Sequence, residues 1–429
     1  EIFDRVKAIP DTLKTLYEDP WYDKYIKDMA ANYRKPYPRP FPCGSVALRF
    51  DRREAELLGH RLDIASGRCE VFFLMKGKRH RLEIFTDMTA DQLWALFTDE
   101  RGNPAPSPFR EITLIPDPDT PKELPPHTEC AVDIEGVLFF RQILPYAEVT
   151  DSVKYETHPK DRAFSLTARV NRELESGKKL GVDGRYADLG PLERRLVPKD
   201  EFILCVELHR GLASEVPAES SLPEPDEPAY RDARAASEKV WREYWGKSGV
   251  ALADSALERA WYHNLYFLRC ALRPGATCPG LFANWSYQNI GTAWHGDYHL
   301  NYNIQQPFWA VFSSNHPELH LPYADMVDHI MPISKKWAKE YYGLRGAFFP
   351  HTAYPVEMNT MPYPLPHWGW EVCETPWAVQ TLWWHFLYTQ DKGFLSERAF
   401  QPMKEAVLFL VDYMKRPEAH GPQDRKSVV

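Results

Sequence analysis

The stretch "GLASEVPAESSLPEPDEPA", residues 211–229, divides the chain. It is acidic and rich in Pro and Ser, a composition that favours an extended connection over a packed element. The hydrophobic period differs on its two sides. Between about 44 and 210 run "SVALRFDR", "RLDIASGRCEVFFLMKGKRHRLEIF", "ITLIPD", "CAVDIEGVLFFRQIL", "FSLTARV" and "EFILCVEL". These have strand length, are rich in β-branched and aromatic residues, and are bounded by Gly, Pro, Asp or Asn. "IASGRC" reads as a hairpin turn. No crossover helix separates the runs, which predicts an antiparallel β-sandwich.

After the divide the period becomes helical. "AYRDARAASEKVWREYWGKSG" and "DSALERAWYHNLYFLRCALRPG" read as helices closed by Gly or Pro-Gly, the second capped by Asp254 or Ser255. Further helices are expected at about 300–314, 318–342, 375–389 and 396–416, with a long loop dense in Pro, His, Trp and Tyr over 343–374. Tryptophan follows the same division: of 14, only Trp21 and Trp94 precede residue 240. The expected layout is a multidomain β-then-α chain. Residues 1–210 form the β-sandwich domain, with 1–43 irregular; 211–253 form a linker and linker helix; 254–423 form a helical domain; 424–429 form a tail outside the native pattern. Helix pairs joined by polar, aromatic loops fit a toroid of α-hairpins, whose loops gather at one end.

Composition narrows the function. With 429 residues, 44% hydrophobic and 26% charged, the chain can bury two or three cores. A net charge of −8 without a basic run argues against a nucleic-acid partner. No segment reaches the ~20 apolar residues of a membrane span, so no membrane partner is expected. The seven cysteines are scattered and form no CxxC pair, which disfavours a zinc site or a disulfide framework. No phosphate-cradling loop or metal cluster is evident, so neither cofactor nor metal is expected. The chain opens at Glu1 without Met or an apolar leader, and its N-terminus assigns no compartment.

"HGDYHLNYNIQQPFW", residues 295–309, carries two asparagines two apart, Asn301 and Asn303. Asparagine favours caps and turns, so one reading is helix capping. The other is that two neutral amides aim at a water or a sugar hydroxyl. Asp297 reads as a turn residue. Trp294, Trp368, Trp370 and Trp377 could stack on a sugar ring or simply pack; Trp383 and Trp384, in mid-helix, read as core.

The longer stretch "RPGATCPGLFANWSYQNIGTAWHGDYHLNYNIQQPFW" resembles the catalytic-domain entry of glycoside hydrolase family 95, the α-L-fucosidases and their α-L-galactosidase relatives. The resemblance rests on Pro279, Gly280, Leu281, Trp285, Trp294, Gly296, Asp297, Tyr298, His299, Asn301, Asn303, Gln305 and Trp309. "GHRLDIASGRCEV", "FFPHTAYP" and "ETPWAVQTLWWHFLYTQDKGFLSERAFQPMKEAVLFLVDYM" agree less specifically. Tyr302 stands where the family pattern has Ile, which leaves the substrate open between fucosyl and galactosyl.

The resemblance implies an inverting glycoside hydrolase with a carbohydrate substrate. Asn301 and Asn303 would hold the nucleophilic water, and His299, His351, Trp377, Trp294 and Trp370 would bind the sugar. It also favours a secreted or periplasmic location. The family's general acid lies in an "S-P-E" motif, and no such triplet occurs in this chain. Asp297, Glu357, Glu371 and Glu374 do not stand in its context. The chain is therefore expected to be inactive as it stands. Five of the twelve helices of an (α/α)6 toroid would leave Trp309, Phe312 and Trp383 without partners and promote self-association. Two other readings remain: a polysaccharide lyase, with His299, Asn301, Tyr298 and Tyr302 at work, and a non-catalytic carbohydrate-binding relative.

Overall fold

The computed structural model describes residues 5, 8–10, 12–33, 40, 42–117, 124–125, 128–129, 136–146, 155–176, 192–281, 293–355 and 371–415. By contacts the chain divides into two compact units, one comprising residues 42–246 and 287–289, the other 1–41, 247–286 and 290–429.

The first unit holds two sheets. One has β1 (Ser45–Phe50), β6 (Phe109–Ile115), β11 (Leu192–Leu196) and β10 (Leu174–Ser176), in that order. The other runs β2 (Glu56–Asp63), β3 (Arg68–Met75), β4 (Lys78–Thr86), β5 (Gln92–Asp99), β12 (Ile203–Leu212), β9 (Arg162–Val170), β8 (Val137–Leu144) and β7 (Thr128–Glu129). Every strand pair in both sheets is antiparallel. Alternation along β5 shows why two layers form, since successive side chains point to opposite faces. Phe97 enters a cluster with Phe73, Phe109 and Phe202, with ring centroids 5.1–5.8 Å apart, which joins the two sheets. Trp94 and Leu96 point to the other face.

That face is covered by a helix, α2 (Glu227–Trp245), which follows the shorter α1 (Pro20–Tyr33) in chain order. Asp226 caps α2 by accepting from the amide of Ala229 at 2.8 Å. Tyr230, fully buried, sits 5.4 Å from Phe85 and 6.4 Å from Trp94. The connection expected over 211–253 is thus largely absorbed into the β unit: β12 runs into it, and α2 seals the sheet. The expected hairpin is present, with Asp63 accepting from Ala65 N and Ser66 Oγ between β2 and β3.

The second unit is helical: α3 (Ser255–Ala271), α4 (Gln306–Ser313), α5 (Leu321–Tyr342), α6 (Glu374–Thr389) and α7 (Phe400–Met414). Asp254 caps α3, accepting from Ala256 N and Leu257 N. Buried polar contacts lock α5 and the turn before it to α6: Tyr323 OH donates to Ala378 O at 2.7 Å, and His320 Nε2 meets Thr381 Oγ1 at 3.0 Å. Two expectations about aromatics need correction. Trp383 is 42% exposed rather than core, because it lies on the α6 face away from α4 and α5 contacts; Trp384 is half-buried against Trp309. Phe312, expected without partners, is buried against His320, His385 and Tyr388. Among the described residues no helix is long and apolar enough to cross a membrane.

Candidate functional site

Two short strands organise the site. β13 (Tyr298–His299) pairs antiparallel with β14 (Thr352–Ala353), Tyr298 opposite Ala353 and His299 opposite Thr352. The ladder continues outside the strands, because Leu300 N donates to His351 O at 2.8 Å. Its other side is anchored too: Tyr298 OH donates to Cys278 O at 2.9 Å, and Leu281 N to Asp297 O at 2.7 Å. The two sequence blocks singled out as functional, 295–309 and the "FFPHTAYP" loop, are therefore one structural piece.

On this ladder the histidines meet. The His299 and His351 rings lie 4.9 Å apart, edge to face. Asp297, 1% exposed, contacts His299 Nδ1 and so orients that ring. Asp297 is more than the turn residue expected. Burial pushes its carboxyl above the usual range, and the His299 contact pulls it back. His351 Nδ1 faces two carboxylates, Glu371 Oε2 at 3.2 Å and Glu374 Oε1 at 3.0 Å. Burial holds His351 below the ordinary imidazole value, against the pull of Glu371. Glu374, the first residue of α6, is 2% exposed. Desolvation, then a hydrogen bond with the neighbouring Glu371 and its charge, push it up to about 11, so it carries a proton at neutral pH.

Asn301 and Asn303 lie on the exposed tip of a tight loop. The loop closes through Ile304 N to His299 O at 3.2 Å, and through the buried Gln305 side chain, whose Nε2 donates to Leu300 O at 2.6 Å. Helix α4 begins at Gln306, and its N-cap position is Gln305, which makes no side-chain cap bond. Neither asparagine occupies that cap. Tyr302, between them and exposed, meets the Trp309 ring at 5.7 Å, and Trp309 meets the half-buried Trp377 at 6.0 Å. Trp377 is thus connected to the asparagine loop through two aromatic contacts. Trp294 is half exposed, 5.7 Å from His299, with φ +50, a conformation that strains a bulky side chain. Trp368, Trp370 and Glu357 lie outside the described residues.

Sequence reasoning passed over the Glu371–Glu374 pair. Two glutamates three apart at a helix start are ordinary; their meaning comes from the fold, where the loop before His351 is tied to the first turn of α6 through Phe349 N and Thr375 Oγ1. The expectation of no metal cluster meets a group of three side chains, His351, Glu371 and Glu374, whose ligand atoms lie within 4.8 Å of one another.

Comparison with known proteins agrees with this architecture. A chain solved from the human microbiome and described as a kojibiose phosphorylase has the same overall fold at a TM-score of 0.50, with 11% identity, covering 85% of this chain and 47% of that one. The class is thus a β-domain followed by a helical domain. Residues 230–425 match the glycosyl hydrolase family 95 catalytic domain. Probable alpha-fucosidase A of Aspergillus niger is 29% identical over 158 residues, which is 36% of this chain and 19% of that protein. Alpha-L-fucosidase 2 of Arabidopsis thaliana is 27% identical over 161 residues, 37% of this chain and 19% of its own length. The matched region thus spans about a fifth of either relative.

Proposed function

We propose that this chain carries the sugar-binding and water-holding part of an inverting glycoside hydrolase acting on α-L-fucosyl or α-L-galactosyl linkages. One observation carries the reading. The exposed Asn301–Asn303 tip is pinned, through Leu300 and His351, to the ladder that presents His299 and His351. Inversion needs a water held on the face of the sugar opposite the leaving group. An amide oxygen can accept a hydrogen bond from that water and fix its direction, but it cannot keep the proton, so a carboxylate must complete the step. His299, oriented by Asp297, has its remaining nitrogen for a sugar hydroxyl. The half-exposed, strained Trp294 beside it supplies an apolar face for a pyranose ring. The similarity to proteins named as fucosidases supports the choice of sugar. The helical domain is proposed to follow the toroid plan of that family.

In this reading the leaving-group proton has no donor in the family's motif, since "S-P-E" does not occur in the chain. Binding of L-fucose without turnover is expected. Saturation-transfer NMR should show L-fucose contacts that Trp294→Ala and His299→Ala abolish, while D-glucose shows none. Incubation with aryl α-L-fucoside and α-L-galactoside should release no phenol. Release with inversion would overturn the division of labour and point to Glu371 or Glu374 as acid. Absence of L-fucose binding would overturn the sugar assignment.

A further inference from the structure

The carboxylates at His351 do something that sugar cleavage does not require. A single nitrogen, Nδ1, lies 3.2 Å from Glu371 Oε2 and 3.0 Å from Glu374 Oε1. One N–H serves one acceptor well, so without a cation the second carboxyl beside it has to hold a proton, which a bound metal ion would displace. The second oxygen of Glu374, Oε2, has no hydrogen-bond partner, although the side chain is 98% withdrawn from solvent. A buried carboxyl oxygen left without a donor is costly unless a cation or proton meets it.

The spacing suits a cation. Ligand atoms about 2.0–2.2 Å from a common first-row metal ion stand about 2.9–3.5 Å from one another. The two separations from His351 Nδ1 fall in that interval, and all three ligand atoms lie within 4.8 Å of one another. The backbone is fixed on both sides of the trio. Leu300 N holds His351 O, and Phe349 N donates to the buried Thr375 Oγ1 at 3.1 Å, which ties the loop before His351 to the first turn of α6. One imidazole with two carboxylates neutralises a divalent charge and favours zinc or manganese over calcium, which takes six to eight oxygens.

We propose that His351 Nδ1, Glu371 and Glu374 form a binding site for a divalent first-row metal ion, which clamps the β14 loop to the start of α6. The remaining coordination positions fall to water. The site is independent of the sugar-cleaving reading, because its test reads binding and stability and needs no turnover.

The test uses the full chain without an affinity tag, stripped with EDTA and dialysed. Calorimetric titration with ZnCl2, and separately with MnCl2, should show one saturable site for at least one of the two ions. That ion should raise Tm in the wild type. Glu371→Gln and Glu374→Gln keep the side-chain size and each remove one carboxylate ligand that the metal would hold. Either should weaken binding about tenfold or more and abolish the Tm rise. Glu371 is 30% exposed, so its variant is expected to fold even where Glu374→Gln does not, and it then decides alone. Saturable binding that both variants retain unchanged would place the ion elsewhere and overturn the proposal. So would the absence of saturable binding in the wild type at millimolar metal.

Discussion

The amide of Leu300 donates to the carbonyl of His351 at 2.8 Å, although the two residues are 51 positions apart. This bond makes the asparagine loop and the histidine loop a single element. Its stiffness depends on Gln305, whose buried Nε2 donates to the carbonyl of the same Leu300 at 2.6 Å.

Gln305→Ala removes that buried donor and leaves Leu300 O with no side-chain partner. The expected loss is about 2 kcal/mol of stability, the scale of an orphaned buried acceptor. Urea unfolding measures it. Hydrogen exchange should localise the added motion to amides 300–306, and unchanged exchange there would show that the backbone bonds alone hold the loop.

Gly346 has φ +84, and a Cβ there would stand 2.2 Å from Glu405 O and 2.5 Å from Phe409 N. Both are backbone atoms of α7 and cannot swing aside. Ala347 N also donates to Glu405 O at 3.0 Å, so the approach is fixed by a hydrogen bond. Gly346→Ala therefore combines left-handed backbone strain with overpacking, and about 3 kcal/mol of destabilisation is expected. A melt within 2 °C of wild type would mean that α7 can slide away from this loop.

The sequence announced the elements better than the contacts between them. Period-2 runs and the "IASGRC" turn announce the antiparallel strands because one-face burial writes itself into alternation. The helices after residue 254 announce themselves through capping and period in the same way. The role of 211–253 was hidden. Pro and Ser content marks a connection, yet Tyr230 and Trp241 bind α2 to the sheet through contacts with residues more than 100 positions earlier, such as Phe85 and Gly67. At the candidate site, the resemblance to a family pointed to Asn301, Asn303, His299 and His351, and the stretches that carry them form one piece through the Leu300–His351 bond. The Glu371–Glu374 pair was not. Its meaning comes from His351 lying against it, and a single backbone-to-side-chain bond between Phe349 and Thr375 leaves no trace in composition.

The face of the sheet beneath α2 carries two glutamates, Glu70 and Glu83, directly opposite each other on β3 and β4 and each 2% exposed. Such a like-charge pair is tolerable only with counter-charges. Arg81 Nε bonds Glu83 at 2.8 Å and lies 3.6 Å from Glu70, while Arg234 reaches Glu83 at 3.0 Å. Arg81→Met keeps the stem and deletes the charge between the two acids. About 2 kcal/mol of destabilisation is expected, below the usual range for a broken buried pair because Arg234 and Arg68, the latter 3.9 Å from Glu70 and 3.7 Å from Glu83, remain. In the double variant Glu70→Gln with Arg81→Met much of that loss should return. Additive losses would show that Arg81 acts by packing.

Lys247 and Glu318 provide a test in acid. Lys247 Nζ donates to Glu318 Oε1 at 2.6 Å, and Asn315 Nδ2 donates to the Lys247 carbonyl at 3.1 Å, so the pair fixes the chain before α3 to the turn before α5. Desolvation alone would raise the Glu318 carboxyl; hydrogen bonds with His316 and Lys247 outweigh it and bring the group down to about 2. A carboxyl lower in the folded than in the unfolded chain binds fewer protons when folded. Its stabilisation is therefore complete above the unfolded value of about 4.5 and is lost as pH falls toward 2. Glu318 is 35% exposed, so the full shift overstates the effect, and about 1 kcal/mol at neutral pH is expected after solvent screening. Glu318→Gln should thus unfold at lower urea than wild type at pH 7, and the gap should narrow between pH 4.5 and 3. Raising the salt to 1 M should shrink the gap at pH 7 as well. A gap that stays constant with pH would assign the contribution of Glu318 to its packing and hydrogen-bond geometry, with no part for its charge.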